Sequence, residues 1–414
     1  MSLPIEAALG RADVGWLAHA QVHGHLQVVG FAGLFVLGVA TRLAPRFTSR
    51  PPHIASLRVA CWLLVSGLLL RAVGQPLAEH ALFAAVMLVG AALEAAGALV
   101  ALASLFRTLQ PWAPPRSPSA ALLAASVCWL TLQAVLGLWW LRDLASEGQP
   151  VLPADRNALL LTAQTFGVLL SALAGVGLRS FPTFFGAPPP PSRYAWTFAA
   201  ALQAGLLLWL VGLTLRLDGA EAWGVRLTST GQLLLGFAVA AVALAVGWWR
   251  RGARLAPASR HFIWALRALA ASLTLTGALL ALTAARALVN GSEVAPATLD
   301  AIRHVFLLGV ITLAIVVMGQ LILPEFASER LVRPPARWRG VAFAVAIPLA
   351  AVVRGLVPLA GVSGEARYWS MAVGGILGLA SVAVFTWLYL RARRSHRAYL
   401  TRVAAWRGRE VPLA

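Results

Sequence analysis

Residues 23–31 read His-Gly-His-Leu-Gln-Val-Val-Gly-Phe, two imidazoles at the head of a strongly apolar run. Imidazole nitrogen ligates haem iron and copper, and it carries protons near neutral pH. The pattern recurs in His304-Val305-Phe306-Leu307-Leu308-Gly309. Laid together without a gap, His25 falls on His304, Gly30 on Gly309, Pro45 on Pro324, Phe47 on Phe326 and Ser49 on Ser328. A weaker third copy keeps Gly167, Pro182 and Phe184, with Thr162 in the histidine's place. Histidines at matched positions of repeated helices can address one cofactor between them, line a polar path, or simply pack.

His25 and His304 are therefore the first candidates for haem ligation, with Arg303 the nearest cation for a haem propionate. His19 and His23 lie one turn apart and share a helix face, whereas His23 and His25 point about 200° apart. His19, His23 and His80 are candidate metal ligands, with copper the expected metal. Glu94, in Gly-Ala-Ala-Leu-Glu-Ala-Ala-Gly-Ala-Leu, is the one acid deep within an apolar run. A charged carboxylate there is costly, so it is expected protonated or paired, in a proton path or tuning a ligand. Gln133, Gln164, Gln203 and Gln320 are expected to line a polar interior or pair across helices. His53, His261 and His396 sit among arginines and read as surface residues. Met318 reads as a gap-filler, and Cys61 and Cys128 as small buried hydrophobes.

The elements that position these groups are membrane helices. The chain is 59% hydrophobic and 12% charged, with a mean hydropathy of +0.77. Apolar runs long enough to cross a bilayer fall at 16–43, 55–73, 78–105, 119–141, 158–178, 195–215, 229–249, 261–285, 301–323, 340–358 and 368–390. The expected fold is an all-α polytopic bundle of 11–12 spans forming a single membrane domain over 1–414. The repeat divides it into units of about four helices, 14–141, 158–285 and 301–390, followed by a basic tail, 391–414. The third unit is one helix short. In each copy the glycine allows close helix approach and the proline is expected to end the helix. If the first helix starts near Val14, His25 lies ~15 Å inside it; if near Val22, His25 is interfacial.

All 34 basic residues are arginines, and they crowd alternate loops: Arg42, Arg46, Arg50 and Arg58; Arg250, Arg251, Arg254 and Arg260; Arg330, Arg333, Arg337 and Arg339; and the tail. That alternation puts the N-terminus outside, periplasmic in a bacterial inner membrane, and the C-terminus in the cytoplasm. It also accounts for the net charge of +19 without nucleic acid. The start, Met1–Gly10, has no basic leader or apolar core of its own, so a cleaved signal peptide is not expected. No Walker loop, dinucleotide glycine motif, His-Glu-x-x-His or Cys-x-x-Cys-His occurs, which disfavours an ATP-driven pump, a zinc peptidase and a c-type cytochrome.

The stretch His23–Phe31 resembles the first-helix signature of the NnrS family. Arg303–Gly309 is similar to a later segment of that family, and Arg179–Phe185 to its mid-chain segment with Arg, Pro and Phe. The resemblance implies an inner-membrane protein of about twelve spans holding haem, of b type, and copper, tied to nitric oxide and denitrification. It also implies a distant similarity to the catalytic subunits of haem–copper oxidases, built as three arcs of four helices. Leu26-Gln27 stands where the family has Glu-Met, and Glu325-Phe326 where a histidine is expected.

The expected function is a haem-binding, and in part copper-binding, membrane protein associated with nitric oxide or another small diatomic ligand, or with respiratory metabolism. The competing readings are a transporter or channel whose path is lined by the histidines and Glu94, and a membrane assembly or sensor subunit with a degenerate site. Whether the chain turns over a substrate is left open.

Overall fold

A computed structural model describes residues 2–10, 13–113, 117–245, 248, 257–327, 337–362 and 364–407. Ser328, Arg250, Arg251, Arg254, Arg330, Arg333 and Arg409 lie outside the described residues. Every regular element described is helical, and eleven helices are long and apolar enough to cross a membrane. The protein is an all-α polytopic membrane bundle. Spans one to four are Val14–Pro45, Ile54–Leu77, Ala81–Leu109 and Pro118–Glu147. Spans five to eight are Ala154–Phe185, Ser192–Leu217, Glu221–Ala245 and Arg260–Asn290. Spans nine to eleven are Pro296–Leu321, Gly340–Leu359 and Gly364–Arg391. The last helix continues without a break to Arg407, so the start of the basic tail extends span eleven.

Span one begins at Val14 because Asp13 caps it, its Oδ1 accepting the Trp16 N–H at 2.7 Å. The cap fills one of the N–H groups that a helix start leaves unpartnered. The deeper of the two expected placements of His25 follows, roughly 16 Å along the helix at 1.5 Å per residue. Before it, the short helix Ser2–Ala8 packs on the last span, and Leu3 accepts the indole N–H of Trp16 at 2.7 Å. Asp13→Ala is expected to cost about 1 kcal/mol and fray the first turn. Faster amide exchange confined to residues 14–18 is the expected readout, and unchanged exchange there would exclude the cap.

Small residues set how closely the spans approach. A Cβ at Gly67 would lie 2.6 Å from the Gly90 carbonyl and 2.8 Å from the Glu94 backbone nitrogen. A Cβ at Gly231 would lie 2.4 Å from the Trp209 nitrogen, and one at Gly236 2.6 Å from that of Ala281. Spans two and three, six and seven, and seven and eight are thus in backbone contact. Close approach of this kind is how helices gain packing in lipid, where burial from water contributes little. Span seven starts at Glu221, eight residues before the expected 229. Its polar first turns are helical because Gly224, Thr228 and Ser229 are buried against span six.

The three copies of the sequence pattern share a backbone distortion. Span one is π-helical over Leu26–Gly33, span five over Ala163–Leu170 and span nine over Leu307–Thr312. Gly30, Gly167 and Gly309 all lie inside these wide turns, and His25, Thr162 and His304 lie just before them. In span nine the Thr312 hydroxyl donates to the Leu307 carbonyl at 2.8 Å, five residues back. The three segments meet at the centre of the bundle, where the Phe166 ring packs on Phe306 with centroids 5.5 Å apart and on Trp209 at 5.2 Å.

Two expectations are corrected. The prolines do not end their helices: Pro45, Pro182 and Pro324 are each followed by one more turn, to Thr48, Phe185 and Ala327. Proline lacks an N–H but keeps its carbonyl. The Pro45 and Pro182 carbonyls accept the closing bonds, from Ser49 N at 2.7 Å and Ala187 N at 2.8 Å. Cys61 and Cys128 are exposed, not buried, and lie on the outside of spans two and four.

Candidate functional site

Two ionic clusters surround the repeat histidines, one built mainly from the first four spans and one from the last three. His25 is 4% exposed, and its Nε2 lies 2.7 Å from Glu94 Oε2. The Gly67 and Gly90 contact explains the neighbourhood. It draws span two against the antiparallel span three, and Arg71 and Glu94, one turn to either side of the contact, reach toward each other across it, Nη1 3.9 Å from Oε2. Arg71 Nη1 is also 3.1 Å from His25 Nε2. From span five, Gln164 Nε2 donates to His25 Nδ1 at 3.1 Å and to Gln133 Oε1 at 2.9 Å.

This donor set fixes the histidine. With Gln164 donating to Nδ1, the ring is neutral and carries its hydrogen on Nε2, pointing at the carboxylate. Arg71, a donor only, approaches that nitrogen without bonding it. Both ring nitrogens are then taken by protein groups. One carboxylate balances one guanidinium, so the cluster is neutral overall. Two acceptors in it stay unmatched among the described residues, Glu94 Oε1 and Gln164 Oε1.

A ladder of amides joins the cluster to the end of the bundle where span one begins. Arg71 Nε donates to Gln75 Oε1 at 3.0 Å, and Gln75 Nε2 to Gln21 Oε1 at 3.2 Å and the Pro150 carbonyl at 3.3 Å. Gln21 in turn donates to the Leu152 carbonyl at 2.8 Å and accepts the Leu152 N–H at 2.9 Å. The expected pairing of glutamines across helices is found for Gln133 with Gln164. Gln203 bridges Trp129 and Ser171, each at 2.8 Å. Gln320 is buried and donates to the Val316 carbonyl one turn back, at 3.1 Å.

The second cluster centres on His304, whose side chain is 23% exposed. Its Nδ1 donates to the Asp300 carbonyl at 2.8 Å and lies 3.4 Å from Asp300 Oδ1. Arg354 of span ten reaches Asp300 Oδ2 at 3.7 Å, and Arg303 Nη2 donates to the Thr162 hydroxyl at 3.2 Å. Arg367 of span eleven is within electrostatic range of Asp300 and Arg354, as His23 is of His304 and Arg354. Of the pair His23 and His25 it is thus His23, exposed on the helix face away from His25, that lies within electrostatic range of His304. His19 is exposed with Nδ1 2.8 Å from the Gly15 carbonyl. His80 is exposed at the head of span three, its ring 6.4 Å from Phe83, and among the described residues no contact joins it to another histidine. Among the described residues no three His, Cys, Asp or Glu side chains gather closely enough to hold a metal ion.

Arginines missed in the sequence turn out to organise both clusters. Arg71, Arg216 and Arg354 lie in the second span of each unit, near the same end of the bundle. Arg216 is matched by Glu293 at 2.8 Å, Glu221 at 3.4 Å and Asp155 at 3.5 Å. Glu293, outside the spans, has its carboxyl pushed up by burial, with Arg216 opposing. The signal was present: an arginine within an apolar span is costly and needs a partner.

Toward the other end, spans one, four, five and nine line a half-open apolar cleft of about 80 Å³, with Phe35, Leu123, Val39, Leu173, Ala314 and Met318 among its walls. No histidine lines it. A scan against models of known protein families gives no match, and a search of curated proteins gives none.

Proposed function

We propose that the chain is a haem-binding protein of a bacterial inner membrane, its N-terminus periplasmic, with His304 as the iron ligand. The carrying observation is the His304 ring. Asp300 accepts from Nδ1, which fixes the tautomer and leaves the Nε2 lone pair without a partner among the described residues. A ligating histidine is held in this way by a carbonyl or carboxylate on its other nitrogen. His23, on span one and within electrostatic range of His304, is the candidate second ligand, while Arg303 and Arg354 supply cations for the propionates.

His25 as packed does not fit iron, because Glu94 and Gln164 occupy both its nitrogens. Its role in this reading is to anchor span one to spans two, three and five. Bound haem supplies an iron centre that takes up electrons or a diatomic ligand such as nitric oxide. Asp300 orients the ring, and the cationic side chains around it favour an anionic cofactor edge. The resemblance to NnrS proteins supports the same reading and extends it to copper, with His19 and His80 the remaining candidates.

An absorption spectrum of the purified chain tests the proposal. A Soret band is expected, lost in His304→Ala and altered in His23→Ala. Retention of the wild-type spectrum by His304→Ala would exclude the ligand assignment.

A second reading, proton-linked transport, is favoured by the unmatched Glu94 Oε1 and Gln164 Oε1 at the foot of the amide ladder. These accept a proton or a hydrated cation arriving from the Leu152 loop. Colourless, fully folded protein that moves protons into vesicles, with Glu94→Gln inactive, is the outcome this reading requires.

A further inference from the structure

The three equivalent arginines differ in how they are balanced. Arg71 faces one carboxylate and Arg216 three. In the third unit one carboxylate, Asp300, lies within electrostatic range of three guanidiniums, Arg303, Arg354 and Arg367. Among the described residues no other carboxylate acts on Asp300, Arg303 or Arg354. The Nε groups of Arg303 and Arg367 are buried and find no acceptor among the described residues. Buried cations need an anion, and a guanidinium with free N–H groups is shaped for the paired oxygens of a carboxylate or phosphate.

We propose that Arg303, Arg354 and Arg367 form a binding site for an oxyanion at the end of the bundle where span nine begins. The Thr162 hydroxyl holds Arg303 at 3.2 Å, and Asp300 holds Arg354 at 3.7 Å, so two of the three guanidiniums are set before the ligand arrives. The site spans three elements, with Arg303 on span nine, Arg354 on span ten and Arg367 on span eleven. An anion there ties the last three spans together. The same chemistry is offered by a free oxyanion, by an anionic lipid headgroup and by the carboxylates of a bound cofactor. The site goes beyond the haem reading and does not depend on it.

Thermal unfolding of the purified full chain, lipid-depleted in neutral detergent and with its haem content measured, tests the site. Phosphate is titrated against chloride at constant ionic strength and pH. At ~100 times the dissociation constant, a saturable rise in Tm of about 3 °C is expected. Arg354→Gln and the milder Arg367→Gln should lose the rise, and Arg58→Gln, near the opposite end, should keep it. A rise with phosphatidylglycerol but not with phosphate assigns the site to a lipid headgroup and supports it. A rise in haem-free but not haem-loaded protein assigns it to the cofactor's carboxylates and supports it too. The absence of any rise in haem-free protein with phosphate, acetate or phosphatidylglycerol overturns the proposal, as does a rise kept by both site variants. A chain that never binds haem leaves this assay unaffected.

Discussion

Glu94→Ala is expected to lower the Tm of the detergent-solubilised chain by about 3–6 °C, from a loss of about 3–5 kcal/mol. The substitution leaves Arg71 buried, 5% exposed, with its one carboxylate gone. It also removes the acceptor from His25 Nε2. A bare guanidinium in a span has nowhere to go but toward the amides of Gln75 and Gln21. The paired change Glu94→Leu with Arg71→Leu should recover much of the loss, because a buried ion pair replaced by apolar groups is often close to neutral. Two additive losses in that double variant would mean that Glu94 and Arg71 are not coupled.

Gly231→Val is expected to prevent folding of the bundle. A Cβ there lies 2.4 Å from the Trp209 nitrogen and 2.5 Å from the Gly205 carbonyl, both backbone atoms that cannot rotate aside. Spans six and seven would have to part along their length, and overpacking that shifts backbone costs about 1–3 kcal/mol or more. Gly137→Ala is the matched control: nothing lies within 4 Å of its Cβ position. Replacing a mid-helix glycine there should stabilise by roughly 0.5–1 kcal/mol. Monodisperse, thermally stable Gly231→Val protein would contradict the backbone contact.

The spans were legible because each apolar run is as long as a bilayer is thick, and that signal survives without knowledge of neighbours. Span seven was cut short because Arg226 and Thr228 look like loop residues, although Thr228 is buried against span six and Arg226 lies exposed with its guanidinium over the Trp223 ring. The depth of His25 was legible in principle: Asp13 three residues before Trp16 is a helix-start signal that puts the first turn at Val14. What periodicity could not show is the wide turn after each repeat histidine. Both His23 and His25 precede it on one regular helix, whose opposed faces bury His25 and leave His23 exposed within electrostatic range of His304. The pairing of Glu94 was foreseen in kind but not in partner, since His25 lies 69 residues away in the chain. Arg71 was overlooked among its leucines, although its burial is the reason Glu94 is where it is.

Haem per chain, measured in purified wild-type, His304→Ala and His25→Gln proteins of equal monodispersity, tests the central claim most directly. Stoichiometric haem is expected in the wild type, its loss in His304→Ala, and its retention in His25→Gln, whose amide can still bond Glu94 or Gln164. Haem absent from folded wild-type protein, or retained by His304→Ala and lost from His25→Gln, would contradict the assignment.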